Sequence, residues 1–295
     1  MPTLVIAGNS FIGRAVRLMM GSDAVAVSRH GPLACNIVDP LSVDAVIKSL
    51  KPDAIINCAG VVDSPDIAPF YDVHVRGTIN LIDSIRRHVP KSPLVLIGSA
   101  AEYGPVANKS LPITEDCYPA PTGVYGASKL AQTQLGIVAV HSFGLRVRTG
   151  RLFNVIGPDL PLRYFVASMA HRLQSRSDST SFQVSNLNAT RDFIDSRDAA
   201  SALIALSHSS TPDGVYNVAT GKETSLRDVA TFLGSLAGGC TPVDGPIHAG
   251  RSDVSRSCAD ISRLKSIGWK QQYDWHDSIM KLWMTIQSQA NGGQP

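Results

Sequence analysis

Short runs rich in valine and isoleucine alternate with helix-length segments through the first half of the chain, and this alternation restricts its fold more than any other feature. The runs are TLVIAG, AVAVSR, DAIINCAG, PLVLIGSA and LRVRTGRLFNVIG. Each is apolar nearly throughout, the pattern of strands covered on both faces of a parallel sheet. Segments Gly13 to Met20, Leu41 to Leu50 and Val73 to His88 lie between them as helices. The order predicts an α/β fold with a doubly wound parallel sheet over residues 1–154. Beyond Asn154, Pro158 and Pro161 break the chain and Gln174 to Ser181 is polar and serine-rich. An alanine-rich helix near Asp198 to Ser207, a strand GVYNVAT and a helix from Ser225 follow. These predict a smaller C-terminal lobe over residues 155–290, with a segment near 190–208 returning to the first domain. Residues 291–295 have the composition of a disordered tail.

Composition narrows the partners. At 295 residues and 44% hydrophobic, the chain can bury a sizeable core. A net charge of +3 without basic runs points away from nucleic acid or an anionic membrane, and leaves room for a small anionic ligand. Five cysteines form no CxxC pair and no histidine cluster has metal spacing, so no metal site is expected and the thiols fit a reducing, cytoplasmic setting. The N-terminus enters a strand pattern directly, and no run approaches the ~20 apolar residues of a membrane helix; neither export nor a membrane span is expected.

The stretch LVIAGNSFIGRAV reads as strand, turn and helix. A dinucleotide-binding turn carries three glycines spaced three apart, for a tight bend, a close approach to the pyrophosphate and close packing of helix on strand. Here those positions hold Ala7, Ser10 and Gly13. The two substitutes are small, and the helix N-terminus would still offer free N–H groups to a phosphate. The second strand ends VSRHG; Ser28 and Arg29 there suit a 2′-phosphate, and so NADPH over NADH. In YGASK, Tyr125 and Lys129 are four apart and share one helix face. An ammonium beside the phenol would lower its pKa toward neutrality, as would the positive nicotinamide of an oxidised cofactor, fitting it for proton transfer near pH 7. Ser99 ends the strand LVLIGSA, and the carboxyl ends of parallel strands are where such sheets bind ligands.

FIGR, INCAG, GSAAEYG, YGASK, RLFNVIGP and RDFIDSRDAA, in this order, resemble the extended short-chain dehydrogenase/reductases that act on nucleotide sugars. Within that family GSAAEYGPV, PITED, RDFIDSRD and GRSDVSR are most similar to reductases of GDP-4-keto-6-deoxy-D-mannose, while DPLSVDAVIKSLKPDAIINCA also resembles dTDP-4-dehydrorhamnose reductases, so GDP, dTDP or UDP is implied as the nucleotide. The resemblance implies a Rossmann-like sheet whose first turn, with Gly8, Ser10, Phe11, Ile12 and Gly13, meets the cofactor, with Asn57 and Ala59 beside it. It implies that Ser99 bonds the sugar carbonyl, Tyr125 donates the proton, and Lys129 holds the nicotinamide ribose. Asn154 would contact the substrate, and Arg191 and Arg251 would hold the diphosphate of a nucleotide-diphosphate sugar. A homodimer through helices Tyr125 to Val140 and Val73 to His88 is implied as well. Asn57 reads equally as a strand-end cap. His74 stands in HVRGT where the family has asparagine, and reads as structural.

Related dehydratases carry an acidic residue two positions after the catalytic serine or threonine; here that position is Ala101. Glu102 is adjacent, but strand alternation would turn it the other way. The expected chemistry is therefore NADPH-dependent reduction of a 4-keto sugar. A nucleotide-sugar 4-epimerase with tightly bound NAD shares Ser99, Tyr125 and Lys129, and Arg29 speaks against it. A non-catalytic NADP-binding regulator would fit the substituted glycines but would not need these three residues.

Overall fold

The computed structural model describes residues 2–31, 33–175, 180–246 and 254–291. Strands β1 (Thr3–Ile6), β2 (Ala24–Val27), β3 (Ala54–Asn57), β4 (Leu94–Ser99) and β5 (Val147–Leu152) lie in one sheet. Strands β6 (Asn154–Ile156), β7 (Ser181–Ser185), β8 (Thr190–Arg191) and β9 (Phe193–Asp195) leave it, and β10 (Gly214–Val218) returns. The order is β2-β1-β3-β4-β5-β10, with every pairing parallel. Outside it, β6 pairs with β9, β11 (Thr224–Ser225) with β8, and β12 (Thr241–Gly245) with β7. The predicted Rossmann-like α/β sheet is the observed one.

The two-residue period of the strands divides the core. Val5, Ile56 and Val95 face one side, where α1 (Phe11–Met20) packs with α7 (Ser196–Ser207). Leu4, Ile6, Ile55, Leu94 and Leu96 face the other. That side is covered by α2 (Pro40–Leu50), α4 (Gly77–His88) and α5 (Val124–Phe143). The short α3 (Ala68–Tyr71) enters α4 through a π-turn, Asp72–Arg76. A separate apolar cluster joins α6 (Phe165–Gln174), α8 (Leu226–Leu236) and α10 (Trp275–Asn291) around β7. Helix α9 (Ser262–Ser266) lies against β10.

Two segments differ from their sequence reading. LRVRTGRLFNVIG is not one strand: the chain leaves the sheet at Phe153 and resumes as β6 against β9. GVYNVAT, expected in the smaller lobe, is the sheet edge β10, paired with β5. The placement of β10 follows from Arg148, a fully buried side chain on β5. Its guanidinium bonds the carbonyls of Thr211 and Pro212 and pairs with Asp213, drawing the chain before β10 onto β5.

The carboxylates of RDFIDSRD act as knots. Asp192 accepts the Thr220 hydroxyl and the N–H groups of Thr220, Gly221 and Ala259. Asp195 caps α7 and bonds Arg197 and Ser278. Asp198 accepts the N–H groups of Gln272 and Tyr273. Each satisfies otherwise unpaired donors in a segment distant in sequence. Among the described residues no helix is long and apolar enough to cross a membrane.

In the opening turn Ala7 takes the left-handed conformation, φ 55°, the bend for which glycine is ordinarily used. A side chain there costs ~1–2 kcal/mol, against ~0.5–1 kcal/mol of extra chain entropy that glycine loses on folding. Ala7→Gly is therefore expected to stabilise the protein by about 0.5–1 kcal/mol, read as a higher denaturation midpoint at unchanged m-value in urea.

Candidate active site

Ser99 ends β4 in extended backbone and its hydroxyl oxygen accepts the Ala101 N–H at 3.1 Å. Helix α5 brings Tyr125 to it because Gly126 has no side chain: a Cβ there would stand 2.5 Å from the Ala101 carbonyl oxygen. The Ser99 side chain lies close enough to the Tyr125 phenol to favour its charged form. One turn on, the Lys129 ammonium donates to the Ile97 carbonyl and the Gln132 amide oxygen, both at 2.9 Å. The expected trio thus converges at the carboxyl end of β4.

Its electrostatics differ from the sequence expectation. The Tyr125 phenol is not lowered toward neutrality; burial pushes it up to about 12, with the Ser99 side chain opposing. Lys129 is directed at Ile97 and Gln132, and burial brings it down to about 8, against the negative charge of Glu102. Burial disfavours both charged forms, and the short-range pairing that spacing implied does not form. The phenol is consequently protonated at neutral pH, ready to donate. His74, in the π-turn, is buried and brought down to about 3 by burial and by Lys129. Ser128 donates its hydroxyl to the Tyr125 carbonyl, so it accepts from His74 Nδ1, while His74 Nε2 accepts the Val61 N–H at 3.1 Å. A neutral His74 thereby ties the loop after β3 to the first turn of α5, the structural role expected of it.

The residues of the opening turn fit a dinucleotide. Ser10 caps α1, its hydroxyl accepting the Gly13 N–H at 3.1 Å, which leaves the Phe11 and Ile12 N–H groups without acceptors among the described residues. Gly13 must lack a side chain, since a Cβ would collide with the Ala7 carbonyl oxygen. The Gly8 N–H bonds the Val27 carbonyl and so fixes the turn to the end of β2, beside the switch point between β1 and β3. Asn57 is buried; its side-chain oxygen caps the Ala59 N–H at 3.1 Å, and its side-chain nitrogen has no partner among the described residues. An orphaned donor beside free helix N–H groups is what a polar, anionic cofactor would satisfy. At the end of β2, Ser28 donates to the His30 carbonyl at 2.7 Å, while Arg29 is exposed and has no ion-pair partner among the described residues.

On the substrate side, Asn154 bonds the Asp192 carbonyl at 3.3 Å, one residue from Arg191. Arg191 donates to the Thr190 carbonyl at 2.7 Å and has no acidic partner among the described residues, and burial lowers its pKa. Such a cation is completed by an anion. Arg251 lies outside the described residues. Position 101 carries no carboxylate, and Glu102 is held inside by Arg151 and Thr133 in a 3₁₀ turn, not by strand alternation. Sequence reading overlooked Gln132, although its i+3 spacing from Lys129 on α5 placed it on the same face. Thr133, at i+4 from Lys129, carried the same signal, and Arg151 left none.

Glycine-poor turn, hydroxyl-bearing side chains and lysine lie together at the carboxyl ends of the inner strands of a six-stranded parallel sheet, in an α/β protein. The NAD-dependent epimerase/dehydratase family model matches residues 4–219, and the chain belongs to this family, within the extended short-chain dehydrogenase/reductases. It is 30% identical over 260 residues to the GDP-6-deoxy-D-mannose reductase of Pseudomonas aeruginosa, covering 85% of each chain. It is 26% identical to the dTDP-L-rhamnose 4-epimerase of Burkholderia thailandensis, over 95% of this chain and 93% of that one. The structure of RMD from Pseudomonas aeruginosa complexed with NADPH superposes with a TM-score of 0.86 at 27% identity, over 98% of this chain and all of that one.

Lys129 gives the site a pH signature. Between about 8, its folded pKa, and its ordinary 10.5, the unfolded chain binds the proton that the folded one has released. Wild-type stability relative to Lys129→Met should therefore rise with pH across that window, by up to about 3 kcal/mol, in paired urea melts.

Proposed function

We propose that the protein reduces the C4 ketone of a nucleotide-linked 4-keto-6-deoxyhexose, with GDP as the nucleotide and NADPH as reductant. The observation that carries this reading is the Ser99–Tyr125 hydroxyl pair with its phenol held protonated, beside a position 101 that lacks a carboxylate. Such a site can protonate an alkoxide but has no group to take a ring proton for dehydration. The reductase from Pseudomonas aeruginosa supports both the reaction and the nucleotide.

NADPH supplies the hydride when bound. The Phe11 and Ile12 N–H groups, Asn57 and Lys129 would hold it, and Arg29 with Ser28 would meet the 2′-phosphate. Ser99 donates a hydrogen bond to the ketone oxygen and fixes its position. Tyr125 gives that oxygen its proton as it becomes a hydroxyl. Solvent restores the proton to the tyrosinate that remains, while the Lys129 ammonium, one helical turn away, is held on Ile97 and Gln132. Arg191, joined by Arg251, takes the diphosphate, for which a planar guanidinium is suited. Asn154 borders the sugar.

The same reading makes the protein a cytoplasmic homodimer joined through α4 and α5, where Ile79, Val138 and Phe143 are exposed. Light scattering should return twice the chain mass.

With GDP-4-keto-6-deoxy-D-mannose, NADPH should be oxidised in a 1:1 ratio to ketone. Interconversion of C4 epimers without NADPH loss would instead identify an epimerase and end this reading. Tyr125→Phe should lower kcat by about 10²–10⁴-fold while NADPH affinity, followed by nucleotide fluorescence, changes less than about threefold. Arg29→Ala should raise the KM for NADPH about tenfold or more and leave that for NADH unchanged.

A further inference from the structure

Glu102 takes no part in the proton transfer, yet its carboxylate is fully engaged beside it. It is completely buried, with Oε1 accepting the Ser99 N–H at 2.8 Å. Oε2 accepts the Thr133 hydroxyl at 2.9 Å and Arg151 Nε at 2.7 Å. The Arg151 guanidinium also lies over the Tyr103 ring, 4.5 Å from its centroid. Gly98 leaves room for the carboxylate, since a Cβ there would stand 2.6 Å from Oε1 and 2.8 Å from Thr149 Cγ2.

A buried ion pair is a costly way to fill a core, and well-packed apolar residues of the same volume are often at least as stabilising. What apolar residues cannot do is bond the Ser99 N–H. With that bond Ser99 and Glu102 close a reciprocal capping box around the turn Ala100–Glu102. One lone pair of the Ser99 hydroxyl is already taken by the Ala101 N–H, so fixing the turn fixes the direction of the hydroxyl.

We propose that Glu102 is a positioning residue: braced from α5 by Thr133 and from β5 by Arg151, it anchors the turn that holds the Ser99 hydroxyl against the Tyr125 phenol. The proposal rests on the ketoreductase reading. A displacement of about 1 Å at such a group is worth about 10²-fold in rate, so the effect falls on kcat and not on binding.

Two charge-free pairs isolate the acceptor. E102L/R151M removes the bond to Ser99 and fills the space, while E102Q/R151M keeps an amide oxygen for it. The first is expected to lower kcat about 10–100-fold, with the KM for keto sugar and the Kd for NADPH within about twofold. It should also speed amide hydrogen exchange at Ser99. The second is expected to restore kcat to within about threefold of wild type. Equal kcat in wild type and a cooperatively melting E102L/R151M, or equal loss in both pairs, overturns the proposal. If E102L/R151M does not fold, Thr133→Val decides: slower turnover with faster Ser99 exchange upholds the role, and neither change overturns it. Wild-type protein that turns over no 4-keto sugar nucleotide fails the ketoreductase reading, and Ser99 exchange in the variants still decides the positioning role.

Discussion

The site depends on the contact of two backbones. Helix α5 can settle onto the turn after β4 only because Gly126 presents no Cβ to the Ala101 carbonyl. That approach brings the Tyr125 phenol beside the Ser99 side chain. It also buries Lys129 under the sheet edge, and burial then decides the protonation of both titratable groups. A helix standing a few tenths of an ångström further out would admit water, and the phenol and ammonium would return toward their ordinary pKa values. Packing and chemistry are here one constraint.

A second theme is the use of buried carboxylates to join segments far apart in sequence. Asp192, Asp195 and Asp198 each satisfy donors of later segments, and Glu102 unites β4, α5 and β5. RDFIDSRD is conspicuous as a motif, but its acids are scaffold. Arg191 is the residue of that stretch left with unmet charge among the described residues. The Arg191 cation is therefore presented by a framework whose own electrostatics are closed.

The sheet was legible because β1, β3 and β4 are covered on both faces and carry uninterrupted apolar runs, which local spacing records. The site was legible as a set of positions: Ser99, Tyr125 and Lys129 meet as strand-end and helix spacing imply. What spacing could not convey was anything fixed by a distant partner. The membership of β10 depends on Arg148 reaching Thr211, Pro212 and Asp213. The orientation of Glu102 depends on Arg151, and the pKa of Tyr125 on how deeply α5 is seated. Ala7 could be read as a glycine substitute, but not as a residue that keeps the glycine's left-handed backbone.

The placement of β10 beside β5 also bears on how the chain acquires its shape during synthesis. The edge of β5 stays unpaired until Val218 has emerged. At ~5–20 residues per second the intervening stretch takes roughly 3–13 s to translate. Throughout that interval a strand containing two buried arginines offers an open row of amides and carbonyls, and Arg148 waits for carbonyls not yet made. The nascent sheet thus completes itself outward and late, and its charged border strand discourages the wrong neighbour from adding first.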